Sequence, residues 1–134
     1  MFYSLPFDRF VYDGVSELMD YIQEKGEIAI VSEGDLVYQP IKIKNLNFVK
    51  YIDEVFVFEN KVANIDKIVD IYQDWRKIII DDKASVLASF KKLDPNAITI
   101  HLQQGKYGHI PQSGFVPNLE AKNINQIRKF IQEL

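Results

Sequence analysis

Cysteine is absent from the 134 residues, which excludes disulfide bonds, thiolate metal sites and a cysteine nucleophile and fits a reducing compartment. No apolar run approaches the roughly 20 residues of a membrane span. Met1 to Phe7 is too short, and lacks the basic start, for a signal peptide. A soluble cytoplasmic protein with no membrane partner is expected. Excess positive charge is missing as well: 16 lysines and arginines face 19 acids, for a net charge of -3. The lysines are scattered, so no nucleic-acid partner is expected. No repeat, linker or low-complexity tract divides the chain. Its length suits one domain, 1–134, that buries roughly two thirds of its unfolded surface.

What is present is organised around Arg76 to Phe90, RKIIIDDKASVLASF. Ile78, Ile79 and Ile80 read as a strand buried on both faces, and Asp81 and Asp82 follow at its carboxyl end, where open α/β sheets bind ligands. Val86, Leu87, Phe90 and Leu93 then recur at helical spacing, so a helix starts just past the acidic pair. Two adjacent carboxylates repel unless a cation lies near them, and magnesium is a usual solution. A solvated turn with a helix N-cap accounts for the same residues.

The opening MFYSLPFDRFVYDG, aromatic and interrupted by Pro6, reads as an extended segment covering apolar surface. Val15, Leu18, Met19 and Ile22 mark one face of a helix that Asp13 can cap, with Gly26 near its end. Glu27 to Val31 is a short buried strand leaving into Ser32, Glu33, Gly34 and Asp35, a loop suited to close approach of a ligand. A helix begins near Gln39 with Pro40 in its first turn. Glu54 to Phe58 is the next strand, and Asn60 can cap a long helix burying Ile65, Ile68, Val69, Tyr72 and Trp75. Lys61 falls in that first turn, where a cation opposes the helix dipole. Taken alone, it reads as a side chain pointing into water.

Ala97 to Leu102 alternates as a further strand, and His101, with no second ligand spaced to join it, reads as a neighbour-satisfied or exposed histidine. Gln103 to Pro117 is a long loop carrying Lys106, Tyr107 and His109, read as loop surface. Ile124, Ile127, Ile131 and Leu134 form one face of a closing helix. Helices and strands alternate, so the fold class is α/β, a parallel sheet with helices on both faces.

Four features, a strand ending in VSEGD, Lys61 after the next strand, IIIDDK after the third and ITIHLQQGKYGH after the fourth, resemble the haloacid-dehalogenase-like (HAD) hydrolase superfamily. The likeness runs from YDGVSELMDYIQEKGEIAIVSEGD through GDLVYQPIKIKNL to PNLEAKNINQIRKFI. It implies a three-layer Rossmann-like sheet, with four strands in order 2-1-3-4 counted from Glu27 to Val31. It also implies magnesium-dependent phosphatase-type chemistry on a small phosphorylated substrate. Ser32 matches the second-motif hydroxyl that bonds a phosphoryl oxygen, within a phosphate-binding set of Ser32, Glu33, Gly34 and Lys61. Lys61 matches the third-motif lysine, which neutralises nucleophile and phosphate charge. Asp82 matches the fourth-motif magnesium ligand, with Asp81 as a second acid, while Val86 stands where the stronger form of that motif has a further acid.

The first motif of the resemblance, four apolar residues followed by Asp-x-Asp, does not occur in the chain. The chain therefore looks like the family's carboxyl-terminal part without its first strand and cap, the missing segment lying upstream or on a partner chain. Two functions follow from different classes: a phosphohydrolase, or a fragment of one, and a non-catalytic binding or interaction module. Either way the chain alone is expected not to hydrolyse phosphate esters at an enzymatic rate, because no group present replaces the nucleophile.

Overall fold

A computed structural model of the chain describes residues 1–6, 14–44, 49–105 and 107–134. Its strands are β1 (Phe2–Leu5), β2 (Glu27–Glu33), β3 (Glu54–Phe58), β4 (Lys77–Asp81), β5 (Ile98–Leu102) and β6 (Leu119–Ala121). Its helices are α1 (Val15–Ile22), α2 (Tyr38–Lys44), α3 (Ile65–Ile71), α4 (Ala84–Leu93) and α5 (Ile124–Gln132). The six strands form one sheet in the order β3-β2-β1-β4-β5-β6, and every pairing is parallel.

This corrects the expectation of four strands in order 2-1-3-4. The strands expected from the sequence keep their relative order, but β1 lies between β2 and β4. Phe2 to Leu5 is thus the chain's own central strand, and the expectation of a missing first strand is overturned. A four-residue strand buried along its whole length shows no polar alternation, and Pro6 directly after it reads as a breaker of ordered structure. Pro6 does mark the limit of the strand. Opposite the other end of β1, a β carbon on Gly26 would fall 1.9 Å from the Met1 carbonyl oxygen. Only glycine lets Met1 come close enough for its carbonyl to accept the Glu27 N–H at 2.9 Å, which sets the register of β1 on β2.

The core has two layers, one on each sheet face. Tyr3, Leu5, Ile28, Ile30, Ile78, Ile80, Ile100 and Leu102 point to the layer closed by Leu18, Met19 and Ile22 of α1 and Ile124, Ile127 and Ile131 of α5. Phe2, Ala29, Val31 and Ile79 point the other way, onto Ile65 and Ile68 of α3 and Val86, Leu87 and Phe90 of α4. The alternation follows from the two-residue period of a strand. Each fully buried large side chain contributes about 1.5–3 kcal/mol relative to exposure.

Several helix ends differ from expectation. The helix expected after Asn60 is split into a 3-10 turn at Val62–Asn64 and the short α3, so Trp75 lies beyond it, 40% exposed and edge-on to Tyr72. Leu93 and Leu134 are also exposed, since each stands at the fraying end of its helix. Gly14, in a left-handed conformation, takes the position before α1, while Asp13 lies outside the described residues. The α5 cap is Asn123, whose side chain accepts the Gln126 N–H at 2.9 Å.

Candidate phosphoryl site at the carboxyl edge

Because all strands run parallel, their carboxyl ends share one edge, and the residues that follow them converge there. Asp81 is the last residue of β4, beside the central strand, and is 3% exposed. Its Oδ2 is 2.5 Å from Nζ of Lys61, and its Oδ1 accepts the Lys83 N–H at 2.9 Å. Lys61 is itself 7% exposed, which corrects the reading of it as a side chain in water. Its backbone N–H is held by Oε2 of Glu33 at 2.7 Å, and the chain then turns into the 3-10 segment. Anchored there, the lysine stem reaches back to β4. The first-turn position, unfavourable for a cation by the helix dipole alone, is offset by the buried carboxylate.

Ser32, next to last in β2, is 4% exposed, and its Oγ accepts Nε2–H of the buried Gln39 at 2.8 Å. A serine hydroxyl has one proton and two lone pairs, so Gln39 occupies an acceptor position and leaves the O–H free to donate. Gln39 sits in the first turn of α2, and Asp35 fixes that turn by accepting the N–H groups of Val37 at 2.7 Å and Tyr38 at 2.9 Å. Those two bonds hold the Asp35 carboxyl below the usual range, Tyr38 having the larger effect. The Gly34 N–H continues the β2-β3 pairing by donating to the Phe58 carbonyl at 3.0 Å. Glu33 also stands 3.5 Å from Nζ of Lys83, a half-exposed contact.

Asp82 is 8% exposed, and its backbone carbonyl accepts a hydrogen bond from Nε2 of His101 at 2.9 Å. That bond requires the proton on Nε2. His101 is 3% exposed, with Nδ1 3.7 Å from Oε1 of Glu120, so it fastens the Asp81–Asp82 turn to β5. It is the neighbour-satisfied histidine of the sequence reading. Gln39 and Lys83 went unrecognised as site residues, and no local pattern marks either one. Lys106 lies outside the described residues, Tyr107 is half-buried and His109 is exposed.

Among the described residues no three histidine or carboxylate side chains converge as metal ligands. Magnesium is often held by one or two carboxylates with water and phosphate oxygens completing six positions, and Asp81 with Asp82 fits that sparser pattern. Lys83 and Lys61 bring two formal positive charges to the edge against three negative ones from Glu33, Asp81 and Asp82. A phosphate dianion arriving alone would therefore meet a net negative site.

No family model matches the sequence, and no curated protein matches it. Solved structures do. A haloacid-dehalogenase-like hydrolase from Burkholderia xenovorans LB400 superposes with a TM-score of 0.80 at 25% identity, over 92% of this chain and 58% of that one. The core domain of a protein from Streptococcus pneumoniae TIGR4 assigned as a phosphoglycolate phosphatase superposes at 0.68 and 16% identity, over 100% of this chain and 96% of that domain. A third, from Haemophilus somnus 129PT and assigned the same activity, gives 0.71 at 14% identity, over 90% and 57%. The chain has the fold of the HAD-like hydrolase superfamily. It spans 50–60% of the length of most of these structures, and nearly all of the isolated core domain.

Proposed function

We propose that the carboxyl edge binds a phosphoryl group and that this chain supplies the core of a HAD-like, magnesium-dependent phosphohydrolase. The observation that carries the reading is the buried Lys61–Asp81 pair at the same carboxyl edge of the sheet as Ser32, whose hydroxyl proton Gln39 leaves available. Ser32 donates to a phosphoryl oxygen, and Lys61 offsets charge on the transferred group and on the carboxylate beside it. Asp82 and Asp81 would hold magnesium, which when bound neutralises the phosphoryl oxygens and turns the local charge balance positive. His101 keeps the turn that carries both acids in place.

The expectation of a missing nucleophile rests on the absent Asp-x-Asp motif, and the first strand expected to be missing with it is present as β1. Past Leu5 the sequence reads Pro6, Phe7, Asp8, so an acid does follow the central strand, although without the Asp-x-Asp pattern and outside the described residues. The alternative, a non-catalytic module that keeps the anion site, is supported by the commitment of both Asp81 oxygens to Lys61 and the Lys83 N–H. Hydrolysis of para-nitrophenyl phosphate with magnesium separates the two. Turnover by the purified chain that falls by at least about 10²-fold in both Asp8→Asn and Asp82→Asn supports the enzyme. Turnover absent in every form, or unchanged by both substitutions, removes the enzyme reading from this chain.

A further inference from the structure

Next to the acidic pair the start of α4 and the loop after β5 enclose a cavity of about 220 Å³, lined by Lys83, Ala84, Ser85, Tyr107, Ile110, Pro111 and Gln112. It begins one residue from Asp82. Its volume lies below the roughly 300–1,000 Å³ of sites that hold a whole drug-sized ligand, so it suits one moiety of a ligand whose remainder lies outside it. Tyr107, Ile110, Pro111 and Ala84 give it apolar walls. Its polar lining residues are Lys83 and Ser85 on the α4 side and Gln112 on the loop side.

The loop has a defined shape here. A β carbon on Gly108 would fall 2.3 Å from the backbone nitrogen of Gln104, so only glycine lets the chain fold back at this point. Ile110 N–H closes the next turn on the Tyr107 carbonyl at 3.2 Å. Nζ of Lys83 lies 4.7 Å from the centre of the Tyr107 ring. The same ammonium is 3.5 Å from Glu33 in an exposed contact, a pairing weak enough to yield to an incoming anion. Lys83 thus joins the charged edge to the apolar cavity. Ile110, one of its apolar walls, is 55% exposed.

From this arrangement we infer that the cavity between α4 and the Tyr107–Gln112 loop receives the non-phosphoryl part of the ligand, and that this part is a flat, apolar-faced ring. The inference rests on the phosphoryl reading of the carboxyl edge and extends it to a substrate class, phosphate monoesters of ring-bearing alcohols or phenols. Lys83 spans the junction, meeting the anionic end with its ammonium and the ring with its stem. A flat apolar group suits walls that include the rings of Tyr107 and Pro111, since rings pack well on ring side chains.

The test is a titration of the full chain with phenylphosphonate and with methylphosphonate, both with magnesium, followed by proton-nitrogen correlation spectra. The two compounds share the anionic group, resist hydrolysis and differ in the ring alone. Both should move the amides of Ser32 and Lys61, and phenylphosphonate should in addition move those of Lys83, Ser85, Tyr107, Ile110 and Gln112. It should bind about tenfold more tightly than methylphosphonate, and Ile110→Asp, a change at an exposed position, should abolish that difference. If both compounds move Ser32 and Lys61 alike and the loop amides stay still, the ring subsite is wrong and the phosphoryl reading stands. If neither moves Ser32 or Lys61, the phosphoryl reading falls, and the subsite with it.

Discussion

Lys61 and Asp81 stand 20 positions apart in sequence and form a buried ion pair. Breaking such a pair from one side leaves an uncompensated charge, whereas replacing both partners removes the cost of burying either. Lys61→Met should therefore lower stability by about 3–5 kcal/mol, and Lys61→Met/Asp81→Leu by clearly less. Urea unfolding of both variants measures the difference, and equal losses would contradict the pairing. No reading of the sequence could separate a solvated lysine from this one, because its partner belongs to a different strand. The resemblance to a family motif singled it out where local rules did not. Tyr72 makes a second residue-scale prediction. Its ring stacks on Phe2 at 3.8 Å, and its hydroxyl donates to Glu27 at 3.2 Å. Burial first, and the Glu27 carboxylate second, push its phenol above the ordinary value of 10.0. The folded state then holds this proton more tightly than the unfolded state does. The contribution is complete below pH 10 and is lost as pH rises above it, so Tyr72→Phe should flatten the alkaline fall in urea midpoint.

Among the elements, β1 decides the architecture. It pairs with both β2 and β4, and without it these two strands would lack partners on their facing edges. The amides of Tyr3 and Ser4 should be among the slowest to exchange with deuterium, with protection close to that of Ile79 in β4. Exchange as fast as in a fraying terminus would contradict the central placement. Ser4→Pro, which removes a ladder donor from a strand paired on both sides, should prevent folding. The longer apolar strands were legible in their composition, and α1 and α5 in their periodicity. β1 and the three-residue β6 were not, since a short strand without alternation carries no period to read. Asn60 led to a long helix in place of a 3-10 turn and the seven-residue α3; its side chain does accept the Ala63 N–H at 3.2 Å, but the Lys61 N–H goes to Glu33 of another strand, a partner no local pattern shows.

At the scale of the molecule, the parallel sheet gathers Ser32, Lys61, Asp81 and Asp82 at one edge from three separate strand exits. No described helix is long and apolar enough to cross a membrane. Which residues gather at the edge could be read from the order of strands and loops. What holds them could not: His101 meets the Asp82 carbonyl only when β5 packs beside β4, and the shorter-range bonds of Gln39 to Ser32 and of the Lys83 N–H to Asp81 depend on how the chain turns after β2 and β4. The central claim is that this edge is a phosphoryl site, and a ligand that binds only the folded state raises its stability by mass action. The most direct measurement is thermal unfolding of the chain and of Ser32→Ala across a titration of inorganic phosphate with magnesium, with chloride at matched ionic strength as the control. The account predicts a midpoint that rises with phosphate for the parent chain, equivalent to about 2.7 kcal/mol at a hundredfold excess over Kd, and a much smaller rise for Ser32→Ala. No rise in the parent chain, or the same rise in both proteins, would contradict it.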